Sequence, residues 1–296
     1  MIGLDKQFNV AKKSYDAGTN PLTALREITK HCLKKLSNKK IHSRPYGNIG
    51  AKEYWVYEAG KGISRPCLKS LFIPSAIEFN DKWNLLIAKI NPDKHNIDST
   101  ANEVDAVLYT SAMAFAMCYD IWKTSSRKTP GTYLEVLLGS MLGEILPEYQ
   151  RTKHILLPKE NGTEEEKGGN VSTDIVFEKT RKNGEIFGLV IPVKTTTRER
   201  IVQPFAHQRI LDGVFGPGRF NSILACISEM QLDKKKKKVN EICVPGTIRL
   251  FQKHLASLTG MYYLDPPTRY LQEDVTKLIA VGSVGELLTT HLPRLT

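Results

Sequence analysis

The sequence predicts an α/β fold with a helix-rich N-terminal part, and three observations lead to this prediction. Apolar residues recur at helical spacing through much of the first third of the chain. After about residue 159, strand-like stretches alternate with helical ones, as in α/β proteins. The dipeptide Asn183-Gly184 between two such stretches is a strong hairpin signal. We therefore divide the chain into a helical region, residues 1–125, and an α/β core, residues 126–296.

The elements of the helical region follow from its apolar periodicity and its helix breakers. Residues 21–37 carry leucines and Ile28 at helical spacing and are predicted to form a helix. Residues 40–67 are predicted to be a loop, because prolines and glycines interrupt them repeatedly. Residues 101–123 are apolar nearly all round, which predicts a long helix buried in the core or in a dimer interface.

The α/β core is predicted to begin with a helix at residues 132–146. Thr129 or Thr132 is the expected cap of this helix, and Glu135 is expected in its first turn. The elements that follow are strands at residues 171–180, 185–197 and 221–230, helices at residues 204–213 and 247–259, and a short strand at residues 261–265.

Composition limits the partners that the protein is expected to bind. The formal net charge is +11, which favours a polyanionic partner, with nucleic acid first and a membrane surface second. We expect no signal peptide and no membrane-spanning segment, because uninterrupted apolar runs of about 18 residues do not occur. The 5 cysteines are far apart and form no zinc-binding spacing, which favours reduced thiols and a cytoplasmic location.

Asp174 and Lys194 are the residues that carry the predicted chemistry. Asp174 is near the start of the first strand of the hairpin, and Lys194 is near the end of the second. Because the start of one antiparallel strand faces the end of the next, we expect the two side chains to meet. A carboxylate can hold Mg²⁺, and a neighbouring lysine can polarise water or neutralise charge on a phosphate. The pair therefore predicts a metal-dependent site that cuts DNA.

The stretch from Asp174 to Gln203 resembles the PD-(D/E)xK motif of type II restriction endonucleases. Its most specific part is Lys194-Thr-Thr-Thr-Arg-Glu-Arg-Ile-Val-Gln203, and the resemblance covers roughly residues 130–230. It implies a central mixed sheet flanked by helices, in a homodimer that cuts double-stranded DNA with Mg²⁺ and leaves 5′-phosphates. It also implies a bacterial or archaeal cytoplasm and a cognate DNA methyltransferase in the same system. The region 1–125 would then serve DNA recognition, dimerisation or both.

Two positions depart from the family pattern. Thr173 replaces the proline of the motif. Pro192 occupies the position two residues before the lysine where the family has an acid, and a proline cannot bind a metal. Some family members place this acid on the following helix, where the present chain has His207 and Gln208.

The resemblance also suggests how the metal site is completed. Family members commonly use a glutamate on the helix before the first motif strand, and Glu135 matches that role by its order and setting. We therefore expect Glu135, Asp174 and Lys194 as the catalytic core, with Gln208 in support and the Val193 carbonyl as a further metal ligand. Glu199 is the alternative source of the second carboxylate.

Several residues after the catalytic lysine are candidates for contacts with DNA. Arg198 and Arg200 follow Lys194 directly, where the scissile phosphate is expected, although a structural salt bridge is the alternative reading. The remaining candidates are Gln203, His207, Lys234 and Lys236. Gln203 precedes Pro204 and can instead cap a helix, and the lysine run 234–238 can instead be a solvated loop.

The sequence thus predicts a type II restriction endonuclease. A repair or recombination nuclease of the same fold is one alternative, and it would cut without a fixed sequence. A DNA-binding protein that has lost catalysis is a second alternative, which Pro192 makes plausible. A basic protein of the membrane surface is a third.

Overall fold

The structure of the protein is a computed structural model that describes residues 2–123, 126, 128–158 and 169–296. Its helices are Ile2–Asp16 (α1), Leu22–Leu36 (α2), Ala76–Ala88 (α3), Ala101–Trp122 (α4), Thr129–Ile145 (α5), Val202–Phe215 (α6), Pro245–His254 (α7), Glu273–Thr276 (α8) and Val284–Glu286 (α9). Its strands are His42–Ile49 (β1), Lys52–Ala59 (β2), Gly62–Ile63 (β3), Cys67–Leu68 (β4), Ile90–Asn91 (β5), Asn96–Ile97 (β6), Gln150–Leu156 (β7), Asn170–Thr180 (β8), Ile186–Ile191 (β9), Val193–Lys194 (β10), Phe220–Cys226 (β11), Met230–Asp233 (β12), Lys238–Glu241 (β13), Gly260–Tyr263 (β14) and Ala280–Ser283 (β15).

A seven-stranded mixed sheet forms the centre of the molecule. Its order is β15-β14-β11-β9-β8-β7, and β10 pairs with β11 beside β9. The strands β7, β8 and β9 pair antiparallel, whereas β11 pairs parallel with β9, β10 and β14. Side chains of β11 alternate between two apolar cores: Ile223 lies in the core that contains α4 and α5, and Leu224 lies in the core under α6 and α7. Helices therefore cover both faces of the sheet, which confirms the predicted α/β architecture.

Helix α4 lies inside the protein. A capping box at Thr100 and Glu103 fixes its start. It is long and apolar enough to cross a membrane by length and composition, but 89 % of its most apolar window is buried within the protein. The prediction of a buried core helix at residues 101–123 is therefore confirmed.

The prediction of a loop at residues 40–67 is wrong, because β1 and β2 form an antiparallel hairpin there. Gly50, with a φ of 56°, lies in the two-residue turn between the strands, and such a conformation favours glycine. The register of the ladder shifts between Pro45 and Gly47, so the proline is accommodated at a bulge. The breakers therefore mark the ends and the bulge of two strands.

The predicted start of α5 is also wrong. The helix begins at Thr129, and within the described part of the chain no side-chain hydrogen bond from the N-cap residue caps its first turn. Thr132 lies inside the helix, where its hydroxyl donates to the Lys128 carbonyl. Pro130 suits the first turn, because its φ is already close to the helical value. Glu135 consequently lies in the second turn of the helix, beyond the free N–H groups of the first turn.

The N-terminal helices and the central sheet share one apolar core. Phe8 of α1, Phe115 of α4 and Tyr133 of α5 stack on one another, with ring centroids 4.1 to 5.4 Å apart. The same cluster includes Ile175 of β8 and Ile223 of β11. This packing fixes α5 against the sheet and thereby places Glu135 near β8.

Candidate functional site

Asp174 and Lys194 are in contact at the point where β9 gives way to β10. The Lys194 ammonium lies 2.7 Å from Asp174 Oδ2, and the Val193 N–H donates to the same oxygen, also at 2.7 Å. The Lys194 side chain is 12 % exposed and that of Asp174 is 30 % exposed, so solvent reaches the pair from one side. The structure thus places together the two residues that the hairpin pattern predicts to meet.

A proline interrupts the strand that leads to Lys194. The β8–β9 ladder ends at the pair Ile175–Ile191, so Pro192 follows at the position across from Asp174. Pro192 has no N–H to donate and cannot continue the ladder. Asp174 therefore accepts hydrogen bonds from the chain beyond the proline.

Beyond Pro192 the chain pairs with β11 on its other side. Two N–H groups of β11 and of the residue after it donate to the carbonyls of Pro192 and Lys194, at 2.9 and 3.2 Å. Because successive residues of a strand direct their backbone groups to opposite sides, the N–H and C=O of Val193 face the β8 side. The Val193 carbonyl is therefore on the same side of the strand as Asp174.

Glu135 adds a second, more deeply buried carboxylate. Its side chain is 14 % exposed, and its Oε1 lies 2.6 Å from the Lys153 ammonium. Burial raises the pKa of Glu135, Lys153 opposes that rise, and the negative charge of Asp174 adds to it.

Lys153 belongs to this site but is absent from the sequence-based predictions. It lies on β7, at a shift in the β7–β8 register between Thr152 and His154. Besides Glu135, its ammonium contacts Asp16 of α1 at 3.4 Å. The sequence gives little sign of Lys153, because β7 is short and polar and was not predicted as a strand.

Gln208 lies on α6 and is directed towards β11. Its Oε1 accepts from the Ser222 N–H at 3.1 Å. Its Nε2 donates to Asp212 Oδ1 at 2.7 Å and to the Phe220 carbonyl at 2.9 Å. These contacts attach α6 to β11, and both ends of the amide take part in them.

His207, the residue before it, responds electrostatically to the Asp174–Lys194 pair. Burial lowers the pKa of His207, the positive charge of Lys194 lowers it further, and Asp174 opposes this change. The imidazole is therefore neutral at pH 7. Its Nδ1 is buried and has no hydrogen-bond partner among the residues that the structure describes. Of the two α6 candidates, His207 is the one coupled to the pair.

A cleft of about 500 Å³ adjoins the segment that follows Lys194. Among the described residues that line it, four carry a positive charge and one carries a carboxylate: Arg65, Lys123, Arg198 and Lys234, and Asp120. Thr195 and Thr196, the two residues after Lys194, form part of its wall, whereas Asp174, Lys194 and Glu135 are not among its lining residues. A polyanion in the cleft would lie beside the segment that follows Lys194.

Arg198 and Arg200, the two arginines after β10, differ in their backbone conformation and contacts. Arg198 lines the cleft, is exposed, and has a φ of 47°, which is unusual for a residue other than glycine. Arg200 is also exposed, and its Nη2 donates to the Thr196 carbonyl at 2.6 Å. A left-handed residue next to the site indicates a segment held in position by its surroundings.

Of the remaining residues predicted to contact DNA, some line this cleft and others do not. Lys234 is among its lining residues. Gln203 is exposed at the start of α6, and Lys236 is exposed in the turn between β12 and β13. The side chain of Glu199 lies outside the described part of the structure.

Glu229 is a buried acid that binds the Thr–Arg segment, residues 195–200, which follows Lys194. The sequence-based predictions do not include it. Its two oxygens accept the Thr197 N–H at 3.0 and 3.1 Å, and it also accepts the hydroxyls of Thr197 and Tyr263. Burial raises the pKa of Glu229 to about 7, although these hydrogen bonds lower it. The only sequence signal for Glu229 is that it is an acid within the apolar run that precedes the lysine run 234–238.

The donor set of the site suits a hard divalent cation. Asp174, Glu135 and the Val193 carbonyl offer oxygen ligands, which Mg²⁺ prefers. Glu135 Oε1 is buried and makes no well-directed hydrogen bond to the residues that the structure describes, despite its ionic contact with Lys153. Clusters of three or more His, Cys, Asp or Glu side chains able to hold a metal do not occur in the described ranges. A cation here would therefore keep water among its ligands, as Mg²⁺ commonly does.

Comparison with solved structures finds a close match over nearly the whole chain. The protein is similar to the type IIP restriction endonuclease Kpn2I, with a TM-score of 0.82 and 35 % sequence identity. The match covers 97 % of this chain and 96 % of that one. A scan of protein-family models and a search of curated proteins give no match.

Proposed function

Since the chain belongs to the type II restriction endonucleases, we propose that it cleaves double-stranded DNA at a specific sequence with Mg²⁺, leaving 5′-phosphate and 3′-hydroxyl ends. The observation that carries this proposal is the 2.7 Å contact between Asp174 and Lys194 beside a cationic cleft. Hydrolysis of a phosphodiester needs a carboxylate for the cation and a positive charge near the phosphate. The cleft supplies the charge that attracts the DNA backbone.

Each group of the site has a defined part in this reaction. Asp174, Glu135 and the Val193 carbonyl are the proposed Mg²⁺ ligands; the bound cation would activate water and neutralise charge on the phosphate. Lys194, held by Asp174, stabilises the negative charge that develops on the phosphate oxygens. The water oxygen bonds to phosphorus as the bond to the 3′-oxygen breaks. The attacking water loses a proton to solvent, and the leaving 3′-oxygen takes up a proton from solvent to become the 3′-hydroxyl.

The two α6 residues have separate roles in the proposal. Gln208 supports catalysis by attaching α6 to β11 through both ends of its amide. His207 carries a neutral imidazole, and its Nδ1, which has no hydrogen-bond partner among the described residues, suits a water molecule or a phosphate oxygen.

The proposed contacts with DNA fall into two groups: residues that line the cleft, and exposed residues near them in the chain. Arg198 and Lys234 lie within the cleft and are suited to the phosphates nearest the scissile bond. Arg200, Gln203 and Lys236 are exposed, lie near Arg198 or Lys234 in the chain, and are suited to the flanking backbone.

The proposed assembly is a homodimer. Cutting a duplex requires one hydrolysis on each strand, and each chain contributes one Asp174–Lys194 pair. Two chains related by a two-fold axis would therefore place one site at each strand. Sedimentation of the protein with and without duplex DNA measures this assembly. The proposal also includes a bacterial or archaeal cytoplasm and a cognate methyltransferase that protects the host DNA.

A plasmid digestion tests the proposed function. Wild-type protein with Mg²⁺ should give discrete fragments, whose ends are then mapped by sequencing. Asp174→Ala should abolish cleavage, by a factor of 10³ or more, with little loss of DNA binding, because Asp174 is partly exposed and binds the cation rather than the DNA. Glu185→Gln, at the opposite end of the same hairpin, removes a carboxylate remote from the site and should cut like wild type.

The outcomes separate the alternatives. A smear of fragments would indicate a nuclease without sequence specificity. DNA binding without Mg²⁺-dependent cleavage would indicate a binding protein that has lost catalysis. Full activity of Asp174→Ala would contradict the assignment of the site.

A further inference from the structure

An arginine is held in a fixed orientation on the wall of the cleft. Arg65 lies between β3 and β4, and the carboxylate of Asp120, near the end of α4, binds one edge of its guanidinium. Nε donates to Asp120 Oδ2 at 2.7 Å, and Nη2 donates to Oδ1 at 3.0 Å. The Arg65 N–H donates to Oδ2 as well, at 2.9 Å. The side chain thus has few positions open to it.

The backbone on the N-terminal side of Arg65 is fixed too. Ser64 is fully buried, and its hydroxyl accepts from the Tyr57 N–H at 3.0 Å and donates to the Arg65 carbonyl at 2.9 Å. The Ser64 N–H donates to the Tyr57 carbonyl at 2.9 Å. Both the main chain and the side chain of Arg65 are therefore positioned before any DNA is bound.

Asp120 occupies one edge of the Arg65 guanidinium and leaves a second edge available to a ligand. The carboxylate uses Nε and one N–H of Nη2, which leaves Nη1 and the second N–H of Nη2 as a parallel pair of donors. Arg65 lines the cleft and its side chain is 26 % exposed, so solvent and ligands reach it. Two parallel N–H donors match the O6 and N7 acceptors that guanine presents in the major groove.

Because Arg65 and Asp120 neutralise each other, this ion pair is better suited to reading a base than to attracting the DNA backbone. Arg65 and Asp120 together carry no net charge, so they add little to the electrostatic binding of DNA in general. Lys234 and Arg198 supply positive charge in the same cleft. An oriented but neutral pair beside them is suited to distinguishing one base from another.

We propose that Arg65, oriented by Asp120, reads a guanine of the recognition sequence through the major groove and is a specificity-determining residue. This inference rests on the proposed function, because it requires a DNA duplex in the cleft. Asp120 is a positioning residue that acts through Arg65.

The test uses the full-length protein and duplexes that contain the site mapped from the plasmid. Each guanine of the site is replaced in turn by 7-deazaguanine, which lacks the N7 acceptor, and cleavage is measured for wild type and Arg65→Lys. Wild type should lose roughly 10-fold or more at one guanine, whereas the loss should be smaller for Arg65→Lys, because an ammonium lacks the rigid parallel pair of donors. Arg65→Lys should also discriminate less at that base pair alone, by roughly 10- to 100-fold.

Two further variants separate base reading from folding. Asp120→Asn should weaken discrimination at the same base pair, since it releases Arg65 without removing it. Arg44→Lys disrupts a bidentate arginine–carboxylate pair of the same geometry on β1, outside the cleft lining, and should leave discrimination unchanged. Thermal unfolding of each variant shows that it is folded.

Two results would overturn the inference. If Arg65→Lys weakens cleavage of every sequence by the same factor, Arg65 contacts the backbone or supports the fold. If the effects of 7-deazaguanine are the same in wild type and Arg65→Lys, Arg65 does not contact that edge of guanine. A wild type that cuts no DNA overturns the proposed function itself, and that result is visible before any variant is made.

Discussion

Glu229 couples the shape of the Thr–Arg segment to pH. Its carboxyl is fully buried and receives the N–H and the hydroxyl of Thr197, one residue before Arg198. Burial raises its pKa from the ordinary 4.5 to about 7. Between these two pH values the folded protein holds a proton that the unfolded chain releases. The stability contributed by this carboxyl is therefore complete below pH 4.5 and is lost as the pH rises towards 7.

Replacing Glu229 with Gln should remove this dependence. The free energy of unfolding of wild type should fall by up to about 3 kcal/mol between pH 4.5 and 7 because of this residue, since one unit of pKa corresponds to about 1.4 kcal/mol. Urea unfolding at several pH values should give a flatter profile for Glu229→Gln than for wild type. Parallel profiles for the two proteins would contradict a raised pKa at this residue.

At the scale of elements, α1 and α5 pack closely enough to position Glu135. The Tyr15 hydroxyl of α1 lies against Gly139 of α5, one turn beyond Glu135, where a Cβ would overlap it. Tyr15 is 1 % exposed, and the guanidinium of Arg151 lies 3.4 Å above its ring. The ring is thus confined on both sides and has little room to move away.

Gly139→Ala should therefore lower the free energy of unfolding by about 1–3 kcal/mol through overpacking. It should also slow cleavage, because a displaced α5 moves Glu135 away from Asp174. Gly143→Ala is the matched control on the same helix: its Cβ would meet nothing within 4 Å, so it should stabilise by about 0.5–1 kcal/mol. Urea unfolding and cleavage rates measure both effects; equal effects of the two substitutions would contradict the proposed packing.

The sequence alone was sufficient to predict those elements that are determined by residues close together in the chain. The apolar pattern of α4 and the Asn-Gly turn between β8 and β9 needed no knowledge of the rest of the chain. The contact of Asp174 with Lys194 followed from the hairpin register alone. Lys153 and Arg65 could not be found in this way, because each lies in a segment with weak periodicity and acts through a partner far away in the sequence. Predicting such contacts requires the packing of elements, which local patterns do not contain.

At the scale of the whole molecule, the apolar core that contains α4 and α5 crosses the predicted boundary at residue 125. Phe8 and Phe115 lie before that boundary and stack on Tyr133 after it. The buried carboxylate of Asp265, just after β14, also accepts hydrogen bonds from Lys52 and Tyr54 of β2, at 2.6 and 2.8 Å. Apolar and polar contacts thus join the two regions.

A fragment of residues 126–296 is therefore expected not to fold by itself. It would expose the faces of α5 and the sheet that α1, α2 and α4 cover in the full chain. Circular dichroism and urea unfolding of the fragment should show no cooperative transition, whereas the full chain should unfold in a single one. A fragment with a cooperative transition of its own would support two independent domains.

The proline at position 192 changes the charge balance of the site. With no acid there, Asp174 and Glu135 are paired with the ammonium groups of Lys194 and Lys153, so these four groups have a formal charge of zero. A divalent cation alone would leave it with an excess of positive charge, and a phosphate alone would leave it with an excess of negative charge. Each ligand therefore favours binding of the other, and by linkage the two effects are equal. In the proposed site, the missing acid would thus make the DNA itself part of what holds the cation.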